Sequence, residues 1–199
     1  YSGEVEVIWM NGKPYLNAQN ATYSYGNLQL ILEMAIRDMY FQNVENALLL
    51  GLGGGSIVHS LRKKFNYREN IVCVEVDQKM IDIARKEFKL TRFSKLEIVH
   101  NDAFDYVLHC KGIFDLVFID VFIDLVVPDK FYSFEFISNV EKLLSSKSRL
   151  VFNMGVGEIE EAHKNLAISF FKEKNYHLRL LENTIGSNTI LIAERRKQK

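Results

Sequence analysis

The chain has 199 residues, of which 48% are hydrophobic, and its 25 basic and 25 acidic side chains give a formal net charge of zero. This length fits one medium domain with a sizeable core, and the balanced charge leaves no basic surface for nucleic acid or an anionic membrane. Cys73 and Cys110 show no metal-ligand spacing, so we expect no metal site and ordinary cysteine packing in a reducing compartment. Because no signal peptide and no apolar run of about 18 residues is visible, we expect a soluble, cytoplasmic protein.

The first 26 residues predict a small extension ahead of the main domain. The segment EVEVIWMNGKPYLN alternates toward Asn11-Gly12 and continues extended after Pro14, which favours a β-hairpin over residues 4–18. Apolar residues then recur at helical spacing over residues 27–40, which predicts an amphipathic helix. We therefore divide the chain into a hairpin extension, residues 1–26, and a main domain, residues 27–199.

From residue 46 onward, apolar runs alternate with helical patterns. The predicted strands are 46–50, 71–75, 95–99, 115–119 and 148–153, and the predicted helices are 55–65, 78–88, 103–108, 132–144 and 160–174. This order with short links indicates a parallel sheet covered by helices on both faces. The segments YHLRLL and NTILIA predict a closing antiparallel pair. The predicted fold class is thus α/β, with a doubly wound, mostly parallel sheet of seven strands.

A glycine-rich turn follows the first buried strand, in ALLLGLGGGSIVHS. Its spacing is Gly51-x-Gly53-x-Gly55, with Gly54 inside the run and Ser56 where the dinucleotide pattern has its third glycine. Glycine allows positive φ and close approach of a ligand, and the amides of the next helix can receive negative charge. The loop therefore predicts a nucleotide site, although a tight strand-to-helix turn alone would use the same residues.

Acidic residues follow the next three predicted strands. Glu75 can accept hydrogen bonds from both ribose hydroxyls, a role for which Asp77 competes unless it caps the following helix. Asp102 could accept from an exocyclic adenine amine or serve as the N-cap of its helix. Asp120 directly follows an apolar strand, at the edge where ligands of open α/β sheets bind, and could orient or deprotonate a nucleophile.

Together these features resemble the class I S-adenosylmethionine-dependent methyltransferase fold, which is Rossmann-like, and more narrowly its spermidine-synthase-like branch. The resemblance covers about residues 4–155 and rests on ALLLGLGGGS, VEVD, NDAFDYV and FDLVFID. It implies that S-adenosylmethionine, or its decarboxylated form, is the cofactor. By this resemblance the methionine portion would lie on Gly51, Gly53, Gly54 and Gly55, the ribose on Glu75, the adenine amine on Asp102, and the transferred group beside Asp120.

The chain departs from spermidine synthases where they bind polyamine. Their loop has the form G-G-G-D-G-G, whereas Gly54 stands in place of the aspartate. Their D-x-x-D-P is reduced to Asp120 followed by Asp124 one position late, and YGNLQLILEM offers their Tyr-Gln-Glu run only in loose order. Because an aspartate at position 54 would repel the carboxylate of S-adenosylmethionine, Gly54 favours the complete cofactor. We therefore predict a methyltransferase, with aminopropyl transfer to a polyamine, as in spermidine synthase, as the alternative.

The methyl-transfer hypothesis makes Asp120 the catalytic residue. The acceptor would be a small molecule of unknown identity, and Tyr25, Gln29 and Asp124 are the candidates for its pocket. In-line attack on the sulfonium methyl requires no covalent enzyme nucleophile, so positioning would supply much of the rate. The resemblance to this branch also implies a homodimer, in which hairpins would pair across a two-fold axis.

Two other classes of protein fit parts of the pattern. Glu75 and the glycine loop would suit NAD, although Ser56 and Asp102 argue against a nicotinamide-dependent oxidoreductase. A non-catalytic interaction domain would use the apolar stretch 121–136 and Trp9 of the hairpin. Binding of NAD would indicate the oxidoreductase, and binding of no cofactor would indicate the interaction domain.

Overall fold

The computed structural model describes residues 5–10, 13–18, 21–24, 27–123, 126–157, 159–182 and 188–195. Its strands are β1 (Val5–Met10), β2 (Lys13–Ala18), β3 (Ala21–Ser24), β4 (Asn46–Leu50), β5 (Asn70–Glu75), β6 (Leu96–His100), β7 (Phe114–Ile119), β8 (Leu144–Val156), β9 (Tyr176–Leu181) and β10 (Asn188–Arg195). Its helices are α1 (Asn27–Ile36), α2 (Ser56–Lys63), α3 (Gln78–Lys86), α4 (Ala103–His109), α5 (Phe134–Lys142) and α6 (Glu161–Glu173). Each predicted element of the main domain is present.

The main sheet has seven strands in the order β6-β5-β4-β7-β8-β10-β9. Parallel pairing joins β6 through β8, whereas β10 runs antiparallel to both β8 and β9. From β4 the chain builds the sheet outward in one direction through β5 and β6 and then in the other through β7 and β8, which makes the sheet doubly wound. Ligands of open α/β sheets bind at the carboxyl ends of the strands beside such a reversal. The predicted α/β class with a mostly parallel, Rossmann-like sheet is confirmed.

Alternate residues of the central strands enter two hydrophobic cores. In β4, Leu48 and Leu50 pack with α4, α5 and α6, whereas Ala47 and Leu49 pack with α1 and α2. A parallel sheet covered on both faces has no solvated side, which explains why β7 is buried throughout. None of the helices in the described ranges is long and apolar enough to cross a membrane.

The N-terminal strands form a separate antiparallel sheet in the order β1-β2-β3. β1 and β2 pair as the hairpin prediction requires, while the predicted turn at Asn11-Gly12 lies outside the described residues. β3 was not predicted, because its four residues are too short for an alternating pattern. Val7 of β1 packs against Met80 and Phe88 of the main domain. The domain boundary at residue 26 stays a prediction.

Helix α1 is shorter than the predicted helix over residues 27–40. It ends at Ile36, where the Arg149 guanidinium of β8 donates to the carbonyl of Ala35 at 3.0 Å and to Asp38 Oδ1 at 2.6 Å. The guanidinium thus satisfies a carbonyl at the helix end that has no partner inside the helix. This contact joins residues far apart in the chain, so the local apolar pattern could not predict it.

Arg62 contacts the segments before the amino-terminal ends of the parallel strands, opposite the edge that bears the acidic residues. It lies in the last turn of α2 and is 3% exposed. Its guanidinium donates to the carbonyl oxygens of four residues in the segments that lead into β5 and β6: Tyr67 (2.8 Å), Glu69 (2.9 Å), Ser94 (2.8 Å) and Lys95 (3.0 Å). One charged side chain therefore joins α2 to the segments that precede two neighbouring strands.

Candidate active site

The carboxyl ends of neighbouring strands bring the predicted site residues to one edge of the sheet. β4 lies between β5 and β7, so Gly51 after β4, Glu75 at the end of β5 and Asp120 after β7 are neighbours. β6 adds Asp102 on the outer side of Glu75. The structure therefore gathers the loop and three carboxylates that the sequence predicted at separate positions.

Gly51 is required by the close approach of two backbones. Its φ is +92°, and a Cβ at this position would lie 2.1 Å from the carbonyl oxygen of Asp120. Hydrogen bonds hold the approach on both sides: Gly51 N donates to Val74 O at 2.9 Å, and Asp120 N donates to Leu50 O at 2.8 Å. Gly51 therefore turns the chain and also lets the backbone of Asp120 lie close to β4, which sets the position from which the Asp120 side chain extends.

The rest of the loop is a true strand-to-helix turn. Gly55 is the N-cap of α2 and adopts a left-handed conformation, with φ of +77°. Gly53 also has positive φ, whereas Gly54 is absent from the positive-φ residues of the described chain. The backbone conformation at position 54 therefore does not require glycine. A side chain could be placed there without strain from positive φ. Contact of this loop with a cofactor stays a prediction.

Glu75 faces the glycine loop. Its Oε2 accepts from Leu52 N at 3.0 Å and from Gly53 N at 3.3 Å, and its Oε1 accepts from Asp77 N at 3.0 Å. A carboxylate has about four lone-pair sites, so Oε1 keeps room for a ligand hydroxyl. Asp77 itself caps α3 by accepting from Lys79 N at 2.9 Å, which is the capping alternative for that residue.

Asp102 is engaged on both oxygens. Its Oδ1 caps α4 by accepting from Phe104 N at 2.8 Å, and its Oδ2 accepts from Lys130 Nζ at 2.7 Å. The capping role is therefore present, and an adenine amine would have to share Oδ2 or replace Lys130. Lys130 also lies 5.0 Å above the ring of Phe131, which holds the ammonium near this edge of the site.

Asp120 is a half-buried acid at the centre of the edge. Burial raises its pKa to about 6, against a hydrogen bond from Asn153 that lowers it, while the Glu75 carboxylate raises it further. Asn153 Nδ2 donates to Asp120 Oδ1 at 2.9 Å. A carboxyl group with a pKa near neutrality can exchange a proton with a substrate, as a general base requires.

Of the three candidates for the acceptor pocket, only Gln29 lies in the described part of the chain. Tyr25 and Asp124 lie outside the described residues. Gln29 donates to Glu33 Oε1 at 3.0 Å and to Ser60 Oγ at 2.8 Å, so its amide joins α1 to α2. A substrate role for these residues stays a prediction.

Sequence reasoning missed the side chains that surround the end of β8. Asn153 and Asn188 are buried polar residues in apolar strands, which was the available signal. The hydroxyl of Tyr132 donates to the carbonyl of Met154, and its ring stacks on His163 with centroids 4.3 Å apart. Burial raises the pKa of Tyr132 to about 12, so the phenol stays neutral.

Solved structures with this fold include both spermidine synthases and methyltransferases. A probable spermidine synthase from Corynebacterium glutamicum aligns with 100% of this chain and 80% of its own length, at 15% identity and a TM-score of 0.81. Human methyltransferase-like protein 13, in complex with SAH, aligns with 88% of this chain and 85% of its own length, at 18% identity and a TM-score of 0.69. At such identities the likeness shows the fold alone.

The names of curated relatives bear on the choice between methyl transfer and aminopropyl transfer. A probable polyamine aminopropyl transferase from Bifidobacterium longum is 30% identical over 138 residues, which are 67% of this chain and 30% of the relative. The chain spans about half or less of the length of the polyamine aminopropyltransferases that it matches. The prediction of a methyltransferase is wrong, because these relatives support the alternative, aminopropyl transfer.

The family comparison covers most of the main domain. The spermine/spermidine synthase domain matches residues 29–174, from α1 through α6. This range contains the glycine loop and the three acids at the strand ends. The predicted resemblance to the spermidine-synthase-like branch is confirmed, and the chain belongs to the spermine/spermidine synthase domain family.

Proposed function

We propose that this chain carries the site of an aminopropyltransferase that uses decarboxylated S-adenosylmethionine as donor and a polyamine as acceptor. The observation that carries the proposal is the arrangement of Glu75, Asp102 and Asp120 at neighbouring strand ends around a glycine loop, in a chain of this family. The names of the curated relatives support the same reaction.

The acidic strand ends outweigh the missing aspartate at Gly54. Glu75 and Asp120 place negative charge beside the loop without a carboxylate at that position, whereas the Asp102 charge is balanced by Lys130. The decarboxylated donor brings a sulfonium and an ammonium, whereas the complete cofactor adds a carboxylate that these acids would repel. The preference between the two donors therefore follows the whole cleft rather than one loop residue.

The residues present fit a nucleoside donor. Glu75 Oε1 keeps an acceptor site for a ribose hydroxyl, and Asp102 can accept from an exocyclic amine. Gly51 and Gly53 let the donor chain approach the backbone. When bound, the sulfonium donor would supply an electrophilic carbon and a neutral thioether leaving group.

Asp120 would act on the acceptor amine. Its carboxylate accepts a hydrogen bond from the amine, directs the nitrogen lone pair toward the donor carbon, and takes the proton that is released as the C–N bond forms. The hydrogen bond from Asn153 to Oδ1 leaves Oδ2 for this contact. No covalent enzyme intermediate is needed, so positioning supplies much of the rate.

A turnover assay tests the proposal. The chain is incubated with decarboxylated S-adenosylmethionine and putrescine, and we expect 5′-methylthioadenosine and spermidine in equal amounts. Complete S-adenosylmethionine with the same amine should give neither product. If a folded protein that binds 5′-methylthioadenosine forms no product with putrescine or with other di- and triamines, the proposed reaction is wrong.

We expect Glu75→Ala to weaken nucleoside binding by about 1 to 3 kcal/mol, because a hydroxyl loses a charged acceptor and the loop amides lose theirs. Calorimetry with 5′-methylthioadenosine measures the loss. Asp77→Ala is the matched control, since Asp77 caps α3 and should leave the affinity unchanged while lowering stability by about 1 kcal/mol. An unaltered affinity in Glu75→Ala would remove the ribose role from this residue.

We expect Gly54→Asp to strengthen the decarboxylated donor and to weaken complete S-adenosylmethionine. The effect is about 1 to 2 kcal/mol in each direction if the groups approach within about 4 to 5 Å. Calorimetric affinities at low and high salt measure it, because a charge effect is screened by salt. Gly54→Ala is the control, and equal losses of both ligands in the two variants would show that the backbone, not charge, is what changed.

A further inference from the structure

Two buried asparagines connect Asp120 to the last strand of the sheet. Asn153 of β8 is 0% exposed, and Asn188 at the start of β10 is 6% exposed. Asn153 Nδ2 donates to Asp120 Oδ1 at 2.9 Å, and Asn188 Nδ2 donates to Asn153 Oδ1 at 3.1 Å. These contacts form a chain of hydrogen bonds that ends on the acid.

The neighbours of Asn153 fix which end of its amide faces Asp120. An amide group can be turned by 180° with little change in shape, so hydrogen-bond partners decide its orientation. The oxygen of Asn153 accepts from Asn188 Nδ2 and from Gly155 N at 3.4 Å. Because two donors hold the oxygen, the NH₂ group must point at the carboxylate.

The charged surroundings of Asp120 oppose its ionised form. Glu75 at the end of β5 is the charged group that acts on it through space, and it disfavours a second negative charge. Gly51 and Asn153 meet Asp120 from β4 and β8, and neither is titratable. Tyr132 and His163 lie at the end of β8 beside Met154, where the Tyr132 hydroxyl is a neutral donor. Asn153 is therefore the group shown to favour the carboxylate.

We propose that Asn153, oriented by Asn188, is a positioning residue that presents an N–H donor to Asp120 and thereby favours the ionised, proton-accepting form of this acid. A hydrogen bond to the charged form of a carboxyl group favours that form, and a buried amide with a single orientation cannot turn to donate elsewhere. The consequence for turnover rests on the proposed function, whereas the effect on the titration of Asp120 does not.

Carboxyl-carbon NMR of protein labelled at aspartate tests the proposal without any substrate. Asp120→Asn assigns the resonance, and the titration midpoint of Asp120 in the parent protein is expected at about pH 6. Asn153→Leu keeps the volume and removes the donor, so its midpoint should rise by about one to two pH units. Asn188→Ala leaves Asn153 in place and should raise the midpoint by a smaller amount.

Asn139→Leu is the matched control. Asn139 is a third buried asparagine, 9% exposed, and it accepts from Lys142 Nζ at 2.9 Å within α5. Its replacement should lower stability without moving the Asp120 midpoint. If Asn153→Leu does not fold, an unmoved midpoint in Asn188→Ala is by itself enough to overturn the proposal.

An unmoved midpoint in both site variants would overturn the proposal, and an unmoved midpoint in Asn188→Ala alone would remove Asn188 from it. In the turnover assay, the acidic limb of the kcat profile should shift in parallel with the midpoint, while the KM for the donor stays within about twofold. Absence of aminopropyl transfer would sink the proposed function and leave the titration result standing.

Discussion

Asp120→Asn is expected to lower aminopropyl turnover by about 10²- to 10⁴-fold, because an amide keeps the shape of the side chain but cannot accept a proton. The affinity for 5′-methylthioadenosine should stay close to that of the parent, since the nucleoside contacts proposed here lie on Glu75 and Asp102. Single-turnover rates and calorimetry on the same preparation separate the two effects.

The pH profile gives this prediction a second readout. Burial, followed by the charge of Glu75, raises the pKa of Asp120 to about 6 against the hydrogen bond from Asn153. Parent turnover should therefore fall as pH decreases through about 6, and Asp120→Asn should lack this limb. The raised pKa also means that the folded state holds the proton of Asp120 more tightly than the unfolded state. Stability is therefore lost as the pH rises toward the folded pKa of about 6. Asp120→Asn should therefore be more stable than the parent at neutral pH.

Asp115→Asn is the matched control on the same strand. Asp115 is 5% exposed at the opposite end of β7, where it accepts from Glu45 N at 2.8 Å and from Ser145 Oγ at 2.7 Å. Its replacement should lower stability and leave the turnover of the folded protein unchanged. Parent-level turnover in Asp120→Asn would make Asp120 a structural residue.

Arg62→Met should destabilise the fold by about 1.5 to 3 kcal/mol, because it removes the charged donor to the carbonyl groups of four residues. The aliphatic part of the side chain is kept, so the loss reports the hydrogen bonds rather than a large cavity. Urea unfolding should show a lower midpoint with an unchanged slope.

Arg68→Met controls for the loss of a guanidinium from the same region. Arg68 is exposed and donates to the carbonyl of Arg62 at 2.6 Å, so its replacement should change stability by less than about 1 kcal/mol. Equal losses in the two variants would show that the four contacts of Arg62 contribute little beyond one surface hydrogen bond.

The main sheet could be predicted from the sequence because the spacing of apolar residues distinguishes its strands from its helices. A strand such as β7 is apolar from residue 116 to 119, and a helix such as α5 repeats its apolar residues at helical spacing. Features that depend on distant contacts were missed. Arg149 contacts the end of α1, and residues 145–147 of β8 are too polar to predict a strand. β8 nevertheless extends from residue 144 to 156, because Leu144 pairs with β7 and residues 149–156 pair with β10.

The candidate site shows the same division. Glu75, Asp102 and Asp120 could be predicted, because parallel strands end at the same edge of a sheet and each acid follows its own strand. Lys130 and Asn188 could not, because their contacts with Asp102 and Asn153 depend on how separate segments meet in space. The prediction of methyl transfer was wrong because it rested on one loop residue, Gly54, whereas a relative that supports aminopropyl transfer matches 67% of the chain.

The position of β10 in the sheet has a consequence for synthesis. β10 inserts between β8 and β9, and its first residue, Asn188, orients the amide that contacts Asp120. A ribosome-bound chain that ends before β10 can already pair β4 through β8, since those strands precede it in sequence. In such a nascent chain Asp120 would have Asn153 beside it without its orienting neighbour. The acid would thus reach its final environment only after nearly the whole described chain has left the ribosome.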